Sequence, residues 1–418
     1  MKIKHKSLLP LYLEGMVRGK FTLAQASAST GYSVPYLCSL KKRFVLQGAS
    51  VFEHKNKFKI PPNKKSEALC NRIVSLYASE YKDINFRYFT KCLNRYEGIK
   101  ICYTTLCRIM GRYGIRSPEA HKVKRTKTAH RMRVRRECEG DLLQIDGTPY
   151  AWFYRFGNNK RYCLSGAIDD ATGKITALYI TEFECLYGYL EVLRQTARSF
   201  GLPREIYSDR AAIFCVTPKN RNHKGDFTRW EMFDTIHSER TQWQRILNEL
   251  HINQILAWSP EAKGRVERMW RTIQGQLPLW LYKHGCSSVE EANRILYRYV
   301  DEFNSDYAIT AEVDDAFWLS APADLDDILC AQISRKTDRA GVFSFHSYKF
   351  ELLTEFASYR TFTLCISERG IFGRLSDGLY VPVRCLDEPL SGLGETMPIV
   401  VQNIIYRYLF AFAKEISA

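Results

Sequence analysis

Three acidic residues stand where phosphodiester chemistry could use them: Asp146 in LLQIDG, Asp209 in IYSDR and Glu267 in SPEAKGRVERMWRTIQ. Breaking or exchanging a phosphodiester requires charge to be neutralised on the attacking and leaving oxygens. Two divalent ions about 3.5–4 Å apart do this when a small set of carboxylates holds them. Mg²⁺ takes oxygen ligands and keeps several waters, so three acids suffice for two Mg²⁺ ions, with Mn²⁺ as a substitute. Mutual repulsion among clustered carboxylates disfavours the empty site and favours the filled one. Each acid alone has a plainer explanation. An Asp at a strand end forms turns, and Glu267 could pair at i, i+4 with Lys263 or Arg271. Asp169 and Asp170 are acidic rivals, but their D-D-A-T-G context is that of a hairpin turn.

The segment around Glu267 has the geometry of an amphipathic helix. Ser259 suits the N-cap, Pro260 the first position and Glu261 the second, where the helix dipole favours an acid. Ala262, Val266, Met269 and Ile273 recur at i, i+4, i+7 and i+11, so they are expected to face a sheet. Glu267 falls beside that stripe, with Lys263, Trp270, Arg271 and Gln274 on the same rim. Lys263, Arg265 and Arg271 are accordingly expected to face DNA.

The elements that must position the acids follow from the change of periodicity after Gly140. DLLQID reads as a short strand ending in Asp146, and YCLSGAID and KITALYIT as strands joined by the D-D-A-T-G turn. Cys185–Phe200 is helical, with Leu186, Leu190, Leu193 and Ala197 on one face. REIYSD is a strand ending in Asp209, Ser238–Leu250 a helix, INQILAW a strand, and the Glu267 segment the next helix. The order βββαβαβα predicts a mixed sheet with helices packed on it.

LLQIDG, IYSD and SPEAKGRVER, in that order, resemble the three acidic motifs of the retroviral-integrase superfamily. In detail the chain is similar to bacterial insertion-sequence transposases with a DDE core, of the ISNCY type. The resemblance implies an RNase H-like core over 140–305, Mg²⁺-dependent DNA cleavage and strand transfer, and Asp146, Asp209 and Glu267 as the catalytic, metal-binding triad. Two features depart from retroviral integrases. Fifty-seven residues separate the second and third acids, the extra length lying in a polar insertion over 210–237. That insertion either contacts a DNA end or is a surface loop. No His-His-Cys-Cys zinc unit precedes the core.

Charge is divided along the chain. Residues 1–136 carry 30 Lys+Arg against 7 Asp+Glu, and the remainder carries 31 against 38. A basic front half points to a polyanion partner, double-stranded DNA. Within 1–50, Thr22 caps a short helix, Thr30-Gly31-Tyr32 turns, and Ser33 caps a second helix that ends in Lys41, Lys42 and Arg43. This pattern fits a helix-turn-helix. Residues 65–116 read as a second unit of the same kind. A basic linker, 117–139, contains HKVKRTKTAHRMRVRR, in which Lys122, Lys124, Arg125, Lys127, Arg131 and Arg133 are expected to track DNA phosphates. Behind the core lie an expected helical connector, 306–335, and a small β-barrel, 336–390, that either touches DNA or is structural. An amphipathic C-terminal helix, 391–418, would pack on its own chain or a second subunit.

The expected fold is thus multidomain: N-terminal all-α helix-turn-helix units, a central α/β RNase H-like (integrase) core and a C-terminal small β-barrel. Thirteen scattered cysteines with no C-x-x-C pair suggest free thiols in a reducing compartment, and no zinc or disulfide framework. No signal peptide or membrane span is read, which suggests a cytoplasmic, nucleoid-associated protein. The function expected is transposition of an insertion sequence through its terminal inverted repeats, by a homodimer or larger assembly on DNA. The competing readings are a sequence-specific DNA-binding regulator with an inactive integrase-like core, and an RNase H or junction-resolving nuclease. The nuclease reading leaves the N-terminal units unexplained.

Overall fold

The computed structural model describes residues 6–52, 64–118, 134–216, 240–257, 264–387 and 397–410. They form two compact units, Met1–Lys82 with Thr104–Ile115, and Asp83–Tyr103 with Arg116–Ala418.

The first unit is helical. Helices α1 (Leu9–Val17), α2 (Leu23–Thr30) and α3 (Val34–Gln47) close on Leu9, Leu13, Met16, Ala26, Leu37 and Leu40. Thr22 and Gln25 form a capping box that starts α2, and Gly31, at φ 74°, ends it. Pro35 sits in the first turn of α3, where its missing N–H costs nothing. The Lys41-Lys42-Arg43 run does not end that helix. Phe44–Gln47 carry it on to Gly48, so the three basic residues lie within α3, with Lys42 exposed. The stretch expected as a second helical unit is divided. Its helices α4 (Glu67–Glu80) and most of α6 (Tyr103–Arg112) fall in the first unit, and α5 (Phe86–Arg95) in the second.

The second unit is built on a five-stranded sheet. In chain order come β1 (Leu142–Tyr150), β2 (Tyr162–Asp169), β3 (Ile175–Thr181), α7 (Leu186–Ser199), β4 (Glu205–Ser208), α8 (Gln242–Glu249), β5 (Asn253–Leu256) and α9 (Gly264–Gln274). The strand order is β3-β2-β1-β4-β5. The first three strands run antiparallel, and β1, β4 and β5 run parallel. The expected order of strands and helices is the one observed. Alternation divides the sheet into two faces. Leu143, Ile145, Ala167, Ala177 and Ile206 pack with α7 and α8. Leu164, Ile168, Leu178 and Ile180 pack with α9, α10 (Leu277–Lys283) and α11 (Val289–Tyr307).

The strand boundary that differs most from expectation is that of β1. β1 does not stop at Asp146 but continues to Tyr150, because β2 stays paired with it through Pro149↔Cys163 and Tyr150↔Tyr162 after β4 has ended. Gly147 and Pro149 look like turn residues in sequence; in the hairpin they simply lose their parallel neighbour.

Helix α5 packs against α11 through charge. Lys91 Nζ reaches Asp306 at 3.0 Å, and Arg95 reaches Glu302 at 2.9 Å and Asp306 at 3.2 Å. The connector expected to be helical over 306–335 is mostly not. It holds one four-residue helix, α12 (Leu325–Ile328), and then a strand, β6 (Ala331–Lys336). With β7 (Val342–Phe345), β8 (Tyr348–Leu352), β9 (Thr361–Ser367), β10 (Gly370–Arg374) and β11 (Tyr380–Cys385), this strand forms a six-stranded antiparallel, near-barrel sheet ordered β6-β9-β10-β11-β8-β7. The expected hairpin glycine, Gly378, has φ 86° between β10 and β11. The tail, α13 (Ile399–Ile405) and a following π-turn to Phe410, packs on its own chain. It buries Val400, Val401, Ile404, Ile405 and Leu409 in the cluster shared by this sheet and α7.

Candidate active site

The two aspartates are placed by strand register. β1 and β4 pair in parallel as Leu142↔Glu205, Leu143↔Ile206 and Gln144↔Tyr207. Continued for two residues, the register sets Asp209 abreast of Asp146. By alternation both belong to the face covered by α9. Asp209 follows the last residue of β4, and its Oδ1 accepts the Ala211 amide at 2.8 Å, which holds its side chain in a tight turn.

Helix α9 runs along β1 as a ladder. The Val266 amide donates to Gln144 Oε1 at 3.4 Å, Trp270 Nε1–H to Asp146 Oδ2 at 3.1 Å, and Gln274 Nε2–H to Thr148 Oγ1 at 3.0 Å. Four helical residues rise about 6 Å and two strand residues about 6.7 Å. Residues i, i+4 and i+8 of the helix therefore meet alternate residues of the strand. Val266, Met269 and Ile273 are buried, as the sequence pattern predicts, and Glu267 lies on the exposed flank of the same helix.

Trp270 comes close because Gly166 stands across from Asp146 on β2. A Cβ at Gly166 would sit 2.9 Å from Trp270 Cη2 and 2.6 Å from Leu178 Cδ2. On the opposite face, a Cβ at Gly147 would lie 2.7 Å from the Tyr189 hydroxyl. That hydroxyl donates to Glu184 at 2.5 Å, and burial, then the Glu184 carboxylate, pushes its pKa well above the ordinary range, so it stays a donor.

Behind the ladder is a buried charge. Asp170, fully buried, accepts from Gln144 Nε2 at 2.7 Å, the Arg265 guanidinium at 2.5 Å and the Arg136 amide at 2.9 Å. One carboxylate therefore ties the strand two residues before Asp146 to the helix two residues before Glu267. Arg265, expected on the DNA side, is 12% exposed and committed to this pair. Asp169 keeps the turn role expected of it, accepting from the Gly140 and Thr172 amides and the Thr172 hydroxyl. Burial raises its pKa, against those hydrogen bonds.

The structure thus places Asp146 within β1 and Asp209 just past the end of the neighbouring strand β4, and leaves Glu267 and Arg271 on the outer flank of α9. Glu261, Lys263 and the expected cap at Ser259 lie outside the described residues. So do Lys122, Lys124, Arg125, Lys127, Arg131 and Arg133 of the basic linker, and most of the 210–237 insertion. As donors, three carboxylates without nitrogen or sulfur suit Mg²⁺. Among the described residues, no group of three Asp, Glu, His or Cys side chains is gathered closely enough to hold a metal ion. Sequence reasoning missed Gly166 and Asp170. The first reads as a strand glycine, and the second as half of a turn.

No family model matches the chain. It is 30% identical over 343 residues to a protein of Sinorhizobium fredii that carries the name transposase y4bF, covering 81% of this chain and 71% of that one. It is 27% identical over 328 residues to the transposase for insertion sequence IS1202 of Streptococcus pneumoniae, covering 71% and 67%. Among solved structures, the HTLV-2 integrase catalytic core domain in complex with magnesium gives a TM-score of 0.27 at 17% identity, over 42% of this chain and 92% of that one. A chain of the simian T-cell lymphotropic virus intasome in complex with PP2A regulatory subunit B56 gamma gives 0.32 at 13% identity, over 76% and 99%. At these TM-scores neither likeness carries weight. The sequence relationship does, since it runs through most of both chains: the chain belongs to the insertion-sequence transposases.

Proposed function

We propose that the protein is a DDE transposase that binds the terminal inverted repeats of its insertion sequence, cleaves DNA at the element ends and transfers the freed strands to target DNA. The α9–β1 ladder carries this reading. It lays the helix bearing Glu267 along the strand face that bears Asp146, and the parallel neighbour strand β4 ends one residue before Asp209. Asp146, Asp209 and Glu267 would hold two Mg²⁺ ions, or Mn²⁺ in their place, which when bound neutralise charge on the attacking and leaving oxygens of an in-line displacement. The Trp270 N–H orients the Asp146 carboxylate, and the Ala211 amide orients that of Asp209. Glu267 supplies the third carboxylate from the solvent side, where DNA arrives.

Water attacks the phosphorus at the element end, the P–O3′ bond breaks, and a 3′-hydroxyl is left on the element. That hydroxyl then attacks a target phosphorus and displaces the target 3′-oxygen, with no covalent protein–DNA bond. The N-terminal helical unit and the 117–139 linker hold the repeats, the first as a helix-turn-helix and the second through phosphates. Joining two ends calls for a homodimer or larger assembly on DNA, in the nucleoid of the cytoplasm. Among the described residues no helix is long and apolar enough to cross a membrane.

The test is incubation with duplexes bearing the repeats that flank the gene, with Mg²⁺ or with chelator. Nicked and joined products in Mg²⁺ alone, lost in Asp209→Asn with binding retained, are expected. Intact binding without cleavage or joining by the unaltered protein would leave the DNA-binding regulator as the better reading.

A further inference from the structure

Gln144 is a glutamine within a strand, 1% exposed, and both ends of its amide are used. Its Nε2–H donates to Asp170 Oδ1 at 2.7 Å, and its Oε1 accepts the Val266 amide at 3.4 Å. A carboxylate paired with a guanidinium only accepts, and a backbone N–H only donates. The Gln144 amide therefore meets both partners in a single orientation. A Leu or Met there would satisfy neither, and a Glu would set a carboxylate against Asp170.

The carboxylate that imposes this orientation is held at both oxygens. Oδ1 also accepts from Arg265 at 2.5 Å, and Oδ2 accepts from the Arg136 amide at 2.9 Å. Arg136 is fixed in turn, its guanidinium reaching Glu205 at 2.5 Å and Asp141 at 3.3 Å, at the starts of β4 and β1. Beside it, the Arg135 guanidinium donates to the Ala171 carbonyl at 2.7 Å. The contacts thus run from Arg136 through Asp170 and Gln144 to the backbone of Val266, and the next residue is Glu267. On the strand side, alternation puts Asp146 on the same face as Gln144, about 6.7 Å further on. One buried amide therefore stands between the chain positions of two of the three proposed metal-binding acids.

We propose that Gln144, oriented by Asp170, is a positioning residue for Glu267: it sets where α9 begins its run along β1, and so how Glu267 stands relative to Asp146. The proposal rests on the metal-binding role given to Glu267 above. Trp270 acts on the Asp146 carboxylate directly. The hydrogen bonds of Gln144 go to Asp170 and Val266, so it acts through the α9 backbone.

The test is a double-mutant cycle in the full-length protein, read by direct Mn²⁺ binding without DNA and by Mg²⁺ titration of cleavage at an element end. Gln144→Met, close in length but unable to bridge, is expected to weaken Mn²⁺ binding about tenfold, as for loss of a partner that orients a metal ligand. Its cleavage rate at saturating Mg²⁺ should stay within about twofold, whereas a folding defect would lower the rate at every Mg²⁺ concentration. Added to Glu267→Gln, the same change should cost nothing further; added to Asp209→Asn, it should still cost about tenfold. Gln144→Glu is the second variant, with the same cycle expected, and serves alone if melting shows that Gln144→Met does not fold. Unchanged metal binding in the Gln144 variants, or an equal loss with and without Glu267, overturns the positioning role and leaves the transposase reading standing. If Glu267→Gln alone leaves Mn²⁺ binding and cleavage intact, the metal assignment of Glu267 falls and this proposal falls with it.

Discussion

At the scale of residues, the proposed site depends on groups other than its three proposed carboxylates. Trp270 orients Asp146 with one N–H, and Trp270→Phe keeps the ring while removing that donor. The expected outcome is a loss of about 10–100-fold in apparent Mg²⁺ affinity, the usual effect of removing a partner that orients a metal ligand. The check is a Mg²⁺ titration of cleavage beside direct Mn²⁺ binding. Gly166→Ala should act in the same direction by displacing the indole from below, with melting followed to separate the two effects. The Asp170–Arg265 pair makes a different prediction. Arg265→Met leaves a fully buried carboxylate without its cation and should cost about 3–5 kcal/mol in denaturant unfolding. Adding Asp170→Asn should recover much of that loss, because the uncompensated charge is then gone. A site where Arg265 instead served DNA would show the opposite pattern: little change in stability and a weaker complex.

At the scale of elements, basic residues divide into those already engaged within the protein and those expected to meet DNA. Lys91 and Arg95 of α5 are spent on Glu302 and Asp306 of α11. Arg95→Ala should therefore cost up to about 1 kcal/mol of stability, modest because the pair is about a third exposed, and leave the salt dependence of DNA binding unchanged. Lys42→Ala, on the exposed flank of α3, should weaken binding to all sequences alike. It should also lower the slope of log affinity against log salt by about one, as for the loss of a single phosphate contact. Filter binding at several salt concentrations measures both. The difference was not legible in sequence. α5 and α3 are both basic helices near the front of the chain, and only the partner helix α11, some two hundred residues later, tells them apart.

At the scale of the whole molecule, the core sheet, the near-barrel sheet and the tail share one apolar cluster. The tail packs Ile404 and Leu409 into it, and Tyr408 bonds His346 of the loop between β7 and β8 at 2.9 Å. Ile404→Ala is expected to destabilise this unit by about 2–5 kcal/mol, as for other buried Ile-to-Ala changes. Thermal melting should show the loss in a transition that includes the core, since the cluster is continuous. If the core melts unchanged, the tail is an independent appendage and the shared cluster does not act as one.

The order of elements and the faces of α7, α8 and α9 could be read from sequence because each is a local property. Hydrophobic period and caps operate over a few residues, and Val266, Met269 and Ile273 reveal their face whatever they pack against. What only tertiary structure decided is which distant residues meet. β1 outlasts its expected end because β2, a dozen residues on, keeps pairing with it. Asp170 binds Arg265 across ninety-five positions, and Gly166 is small because Trp270 needs its space. The ladder that sets Trp270 on Asp146 depends on the near match between helical rise and strand rise, and no property of either segment alone contains it.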